Sequence, residues 1–348
     1  MNKKEIIYPE YYKRFKCIST NCTDTCCKAW DIVIDEKALG FYRSIPEINR
    51  HIITDSDNDN IIAMTEKGCP FLDNDMLCKI QSKYGEEKLC GECRRFPRIS
   101  QDFTAFEEYM LSLACPEACR LIFDDNNTFS EYYNKDVQGG DNGYPDEIMN
   151  FLIKARNISA GFFRTDRPFS EQLALFADFN AYAGDLLFDE CYDIGILDEY
   201  KPYDSINGEY LFEDVFDIYS KLDYLNEDFR LLVENSRQSL PADTAKTDAY
   251  FRKLALYYIY RSYLCAISDD DVLNTVCTVF GAYTIISRII TYLHIENDDK
   301  EILRIISTFS KETDHSYENK EMLSQQFSTS FAFDVENLIA AAGASALY

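Results

Sequence analysis

Cysteine is the residue type with chemical potential in this chain, and its spacing is uneven. Four thiols fall within eleven residues, at Cys17, Cys22, Cys26 and Cys27. Cys22 and Cys26 are four apart, so a helical turn would point both the same way. Cys26 and Cys27 are adjacent, so their side chains diverge and do not suit one metal ion together. The stretch therefore reads as two or three ligands plus at least one thiol with another job. Further cysteines follow at Cys69, Cys78, Cys90, Cys93, Cys115 and Cys119, which places ten of the thirteen before residue 120. Free cysteine also serves as a small buried hydrophobe, but packing does not ask for this density.

Metal ligation is the chemistry that this pattern suits. The three histidines, His51, His294 and His315, lie away from the clustered cysteines, which disfavours a mixed Cys/His zinc site. Iron–sulfur clusters take four thiolates from scattered loops, and Cys69-Pro70 and Cys115-Pro116 repeat a pairing seen beside cluster ligands. A 4Fe-4S cluster is the leading expectation. All-cysteine zinc is the lesser alternative: Cys90-x2-Cys93 would suit half a zinc ribbon, but no second such pair follows. Redox or packing thiols are the third. Arg94, Arg95 and Arg98 directly follow Cys93, where they would offset thiolate charge or hold a ligand carboxylate in bidentate fashion. A solvated helix end accounts equally well for Arg94 and Arg95.

The elements that must position these residues can be read from periodicity. Tyr8 to Phe15 is an aromatic lead-in to the cysteine region. Trp30, Ile32 and Ile34 alternate with Asp31, Val33 and Asp35 as in a short strand with one apolar face, and Asp35 is placed to cap a helix from Glu36 to Arg43. Cys69 to Cys78 reads as a hairpin around an Asp-Asn-Asp turn, with the two cysteines side by side. Gln81 to Arg95 reads as a helix interrupted by Gly85 and Gly91, ending at Phe96-Pro97. Phe103 to Leu113 is partly extended, and Cys115-Pro116 opens another helix with proline at its favoured first position. Residues 126–145 read as a linker. Beyond them helical periods run over Ile148–Ile158, Glu171–Phe188, Leu211–Leu225, Thr247–Ile267 and Val272–Leu293. The last contains Asn274 and Arg288, which favours a buried helix over a membrane span. Tyr250, Tyr257, Tyr258, Tyr260 and Tyr263 read as core or groove-lining aromatics, and Cys191, Cys265 and Cys277 as core residues.

Length and composition set the frame. At 348 residues, 46% apolar and 14% aromatic, the chain reads as globular and as two domains. The expected fold is mostly α, with a small irregular α+β cysteine-rich N-terminal domain over 1–125 and a helical domain with a substrate or cofactor groove over 146–348. No Rossmann-type sheet is expected. The N-terminal residues show no apolar leader, and free thiols at this number suit a reducing, cytoplasmic setting. The net charge of −25 is lopsided: residues 1–120 carry 17 Lys and Arg against 20 Asp and Glu, the remainder 18 against 40. That acidic remainder would repel nucleic acid and attract a lysine-rich partner, or serve only solubility. Neither nucleic acid nor a membrane is expected as a partner, and a monomer is expected.

Several motifs together resemble the flagellin lysine-N-methylase family. They are Cys17-x4-Cys22-x3-Cys26-Cys27-Lys28-x-Trp30, Cys69-Pro-Phe-Leu-Asp-x-Asp-x-Leu-Cys78, Cys93-x2-Phe96-Pro97-Arg98 and Ser112-Leu-Ala-Cys115-Pro-Glu117. The likeness covers residues 1–120; the cysteine elements also resemble a wider set of zinc- or iron-chelating proteins. The resemblance implies methyl transfer from S-adenosylmethionine to lysines of flagellin, with an iron–sulfur cluster. Carried over by position, it implies metal ligands among Cys17, Cys22, Cys26, Cys69, Cys78, Cys93 and Cys115. Cys27 is left as a candidate catalytic thiol, and Trp30 and Arg98 as candidate cofactor contacts. More thiols than four means two metal sites, or thiols with structural or chemical roles.

Two absences bear on the cofactor. No glycine-rich loop follows a strand, and no Cys-x3-Cys-x2-Cys run of the radical type occurs. A methyltransferase of this sequence would bind its cofactor in neither usual way. The rival expectation is a non-catalytic cysteine-rich interaction module holding an iron–sulfur cluster or zinc.

Overall fold

The computed structural model describes residues 5–28, 30–56, 58–103, 106–124, 145–202, 208–209, 211–314 and 316–345. Nearly all of the linker expected over 126–145 lies outside the described residues. The first part of the chain alternates short elements: β1 (Glu5–Ile7), α1 (Glu10–Arg14), β2 (Ile32–Val33), α2 (Glu36–Arg43), α3 (Pro46–Asn49), β3 (Ile52–Thr54) and β4 (Asn60–Ile62). It continues with α4 (Lys79–Tyr84), α5 (Gly91–Arg95), β5 (Arg98–Asp102), β6 (Phe106–Leu111) and α6 (Pro116–Ile122). The rest is helical: α7 (Asp146–Phe162), α8 (Phe169–Phe188), α9 (Phe212–Tyr219), α10 (Glu227–Ser236), α11 (Ala245–Ser262) and α12 (Ala266–Asp269). Then come α13 (Leu273–Leu293), α14 (Asp299–Asp314), α15 (Tyr317–Thr329) and α16 (Val335–Ser345). The fold is mostly α, as expected, and among the described residues there is no Rossmann-type sheet.

The strands make two small three-stranded sheets. One has the order β1-β6-β5, with β1 parallel and β5 antiparallel to β6; the other is antiparallel, β2-β4-β3. Local chemistry explains much of the path. Ile32 and Ile34 face inward while Val33 between them is 44% exposed, the alternation of a one-faced strand. The Asp35 carboxylate accepts from the Ala38 amide at 3.0 Å, capping α2 as its sequence foretells. Cys115 is the N-cap of α6 and Pro116 its first residue. Gly85, at φ +92°, ends α4 in a conformation that other residues rarely adopt.

Other expectations need revision. Cys69 to Cys78 is not a two-stranded hairpin but a tight loop with a single bridge, Leu72 to Cys78. The Asp73 carboxylate closes it by accepting from the amides of Asp75 and Leu77, an alternative to a ladder. The helix expected over Leu211–Leu225 ends at Tyr219, and that over Thr247–Ile267 breaks after Ser262 into a 3-10 turn before α12. Cys277 is buried as expected, but Cys265 is exposed and Cys191 half-buried.

Apolar packing forms two cores. The larger joins Tyr11 and Phe15 from the start of the chain, β6 and α6 with α7 through α16. The smaller gathers Ile32, Ile34, Ala38, Tyr42, Ile48, Ile62, Phe71, Ile80 and Cys90. Helix α13 runs through the larger core, with nearly every residue from Thr275 to Ile290 buried. Gly281 on α13 lets the ring of Tyr219 lie against the helix, since a Cβ there would run into the tyrosine hydroxyl. The four Tyr residues 257, 258, 260 and 263 are all buried in this core.

Candidate functional site

The cysteines border both cores, Cys115 and Cys119 the larger and Cys69, Cys78 and Cys90 the smaller. Cys26, Cys27 and Lys28 form a 3-10 turn. The main chain of Cys69 reaches this turn directly, its amide donating to the Cys27 carbonyl at 2.7 Å. Gly68 makes the approach possible. At φ +97°, a Cβ built on it would come within 2.7 Å of the Cys27 oxygen and 2.6 Å of Cγ of Lys28. Cys90 starts α5 as its N-cap, which places Cys93 one turn on, and the Cys90 amide donates to the Tyr42 hydroxyl at 2.9 Å inside the smaller core.

The thiols form neighbourhoods. Cys26 donates a side-chain hydrogen bond to Cys27, and Cys93 donates one to Cys90. The accepted bond holds Cys27 below the usual thiol range, while donating it pushes Cys26 up. The same logic lowers Cys90 and raises Cys93. Burial pushes Cys69 and Cys115 up to about 11. Cys27 is thus a thiol whose anion its surroundings favour, the property that nucleophilic or ligating sulfur needs. Among the described residues, no three His, Cys, Asp or Glu side chains are arranged to hold a metal ion as they stand. The donor type is nonetheless one that a thiophilic metal prefers: soft sulfur atoms, exposed at Cys17 and Cys93 and half-buried at Cys22, Cys26, Cys69, Cys78 and Cys115, with no competing histidine among them.

The other expected site residues are packed close by. Trp30 meets the ring of Phe96 edge-on at 5.2 Å and borders the smaller core. The Arg98 guanidinium lies over Phe15 at 5.2 Å and Tyr12 at 6.0 Å. Among the described residues it pairs with no carboxylate, so its fork of donors is available to one. Arg95 is taken up by Glu92 in its own helical turn, and Arg94 is exposed.

Residues from the far end of the chain complete the surroundings, and no short-range pattern marks them. Lys311 on α14 is buried, and its ammonium lies 2.5 Å from the carboxylate of Asp24, within the Cys22–Cys26 loop. Tyr257 on α11 accepts from the Leu113 amide at 3.3 Å, just before Cys115, and from Arg261 at 3.2 Å. Arg261 in turn pairs with Asp314 at 2.5 Å. The Cys119 thiol donates to the Leu303 carbonyl at 3.6 Å. Helices α11 and α14 therefore form one wall of the cysteine region. Next to Lys311, the buried Glu312 carboxyl is raised to about 7 by burial, even though it accepts from the Leu225 amide.

Comparison with known proteins points to this helical half. Residues 204–341 match the family described as the FliB lysine N-methylase C-terminal domain. Over 139 residues the chain is 30% identical to the flagellar biosynthetic protein FliU of Salmonella muenchen, a match covering 36% of this chain and 80% of that protein. It is likewise 30% identical to a lysine-N-methylase of Salmonella typhimurium and 29% identical to one of Salmonella choleraesuis. The match spans about a third of those two methylases, 34% of each. No solved structure matches the chain.

Proposed function

The chain belongs to the FliB lysine N-methylase family, and from that premise we propose that it is a protein-lysine N-methyltransferase acting on flagellin. The observation that carries the reading is the match of residues 204–341 to the methylase C-terminal domain, because that segment supplies α11 and α14, the wall of the cysteine region. In this proposal S-adenosylmethionine supplies an electrophilic methyl group on a sulfonium. The neutral lysine nitrogen forms the new N–C bond as the sulfonium C–S bond breaks, leaving S-adenosylhomocysteine, and the amine proton leaves to a base or to water.

The protein must then do two things. It must attract a cationic segment, and the surplus of acidic residues beyond residue 120 supplies the field for that. It must also strip the proton from an amine that is ordinarily charged at neutral pH, which a partly apolar site favours. Arg98, with no carboxylate partner among the described residues, is suited to the carboxylate of the methyl donor, and Trp30 to its apolar part. The thiols of the N-terminal cysteines would hold an iron–sulfur cluster, which would fix the loops around the site.

Purified protein incubated anaerobically with flagellin and methyl-labelled S-adenosylmethionine tests the proposal. Label recovered on lysine side chains supports it. No label on lysine from several flagellins, with intact metal, would sink it.

A further inference from the structure

Among the described residues, one strand has both the length and the open edge to take another chain. In the sheet of order β1-β6-β5, β6 is central and β1 has only 3 residues. The edge strands of the other sheet, β2 and β3, have 2 and 3. β5 has 5, Arg98 to Asp102, all in register with β6 on one side. On its other side the main chain of Ile99, Ser100 and Gln101 meets no hydrogen-bond partner among the described residues. Edge strands are commonly guarded by lysine, proline or a bulge, and the middle of β5 carries none of these.

The strand is a firm template with two distinct rows. Ile99 packs on the larger core, and Gln101 donates to the Cys265 sulfur at 3.1 Å. Arg98, Ser100 and Asp102 take the other face, which they share with Glu107 and Tyr109 of β6. Ser100 lies opposite Tyr109 and Asp102 opposite Glu107, so two carboxylates stand at one cross-strand position. The Tyr109 hydroxyl donates to Glu107 at 2.8 Å, and its ring meets Tyr12 edge-on at 5.7 Å. The rings joined to it already carry cations. The Lys13 ammonium lies 4.6 Å from the centre of the Tyr8 ring, which stacks on Tyr12, and the Arg98 guanidinium 6.0 Å from that of Tyr12. Charge is thus graded along the strand. Arg98 lies at the end of the sheet from which the chain leads to Cys93 and Cys115, and the carboxylates lie ~14 Å beyond it at ~3.4 Å per residue.

We propose that the open edge of β5 docks an extended, lysine-bearing segment of the protein substrate, which adds to the sheet as a further strand. Its main chain pairs with the open side of β5, and a basic side chain meets Asp102, Glu107 and the Tyr109 ring. Strand addition takes its affinity from main-chain hydrogen bonds and its selectivity from alternate side chains. Carboxylates beside aromatic faces favour cationic side chains over acidic ones. A segment held in this way runs from the acidic end towards Arg98, the residue assigned above to the carboxylate of the methyl donor. The inference rests on the proposed function in taking flagellin as the substrate, and adds where and in what conformation that substrate is held.

The test reads binding as well as turnover, so it separates this inference from the enzymatic one. Benzoylphenylalanine replaces Ser100, or Lys320 on α15 as an exposed control, in full-length protein that is mixed with flagellin and irradiated. Cross-links from position 100 should map to a lysine-bearing flagellin peptide, and position 320 should give none. Asp102→Lys guards the edge and reverses its charge, so flagellin binding by fluorescence anisotropy should weaken by about tenfold or more. Glu321→Lys makes the same charge change on the exposed face of α15 and should weaken binding by less than about twofold. Circular dichroism accompanies each variant, and Ser100→Lys replaces Asp102→Lys if that one loses helix. Docking at β5 without methyl-lysine would support this inference and remove the enzymatic reading. Cross-links from position 100 that reach only this chain or a second copy of it, equal weakening by the two charge reversals, or no binding of flagellin by wild type would overturn the inference.

Discussion

The ammonium of Lys311 lies 2.5 Å from the carboxylate of Asp24, joining two residues 287 positions apart. One belongs to the segment that matches the methylase family, the other to the loop between Cys22 and Cys26. Lys311 is almost fully buried whereas Asp24 is partly open to water, so replacing the lysine frees a carboxylate that solvent can still reach. Lys311→Met should therefore cost only ~1–2 kcal/mol in urea unfolding, while alkylation of Cys22 in the metal-free protein becomes faster. Unchanged thiol reactivity would show that α14 does not hold the loop.

Two glycines give opposite expectations for the same substitution. Gly68 combines a φ of +97° with a main-chain oxygen that its Cβ would crowd, whereas a Cβ on Gly40, inside α2, meets nothing within 4 Å. Gly68→Ala should destabilise by more than ~1 kcal/mol and lower metal content, and Gly40→Ala should stabilise by ~0.5–1 kcal/mol. Thermal melts of the two variants decide the matter.

Glu108 on β6 and Arg156 on α7 form an ion pair at 3.0 Å with side chains 1% and 0% exposed. Glu108 occupies the inward row of its strand with Phe106 and Met110, where sequence alternation alone asks for an apolar residue. Removing Glu108 takes this carboxylate away from a guanidinium buried at 0% exposure, so Glu108→Leu should cost ~3–5 kcal/mol. Glu108→Leu with Arg156→Met should cost clearly less than the single change. Additive losses in a double-mutant cycle would contradict coupling of the pair.

The fold was legible where local chemistry decides it. Asp35 before Glu36-Lys-Ala, proline after Cys115, and the alternation at Ile32–Ile34 each fix an element with a few residues. Helix α14 shows why the rest was harder. Its polar residues Ser307, Thr308, Ser310, Lys311, Glu312 and Thr313 are all buried against other elements. The polar face that should mark a solvent-exposed side is therefore hidden, and tertiary pairing overrides the pattern. The same holds for the site. The cysteine spacing exposes the thiols as ligand candidates, but nothing near Lys311 or Tyr257 in sequence announces that they reach the cysteine loops.

Glu312 should give stability a distinct pH dependence. Its carboxyl is raised from the usual 4.5 to about 7 by burial. Between these values the folded chain holds a proton that the unfolded chain releases. This contribution to stability is thus full below about 4.5, declines as pH rises towards 7, and is flat above. Glu312→Gln should remove a slope worth on the order of 1–3 kcal/mol across that window. Urea midpoints at pH 5 and pH 7.5, compared between variant and wild type, provide the check.

The most direct measurement is the yield of methyl-lysine on flagellin, by mass spectrometry, as iron and sulfide are titrated into anaerobic metal-free protein with S-adenosylmethionine present. Modified lysine that rises with iron content and reaches a plateau at full loading is the expected result. Flagellin whose lysines keep their unmodified mass at every iron content, with the protein folded throughout, would contradict methyl transfer by this chain.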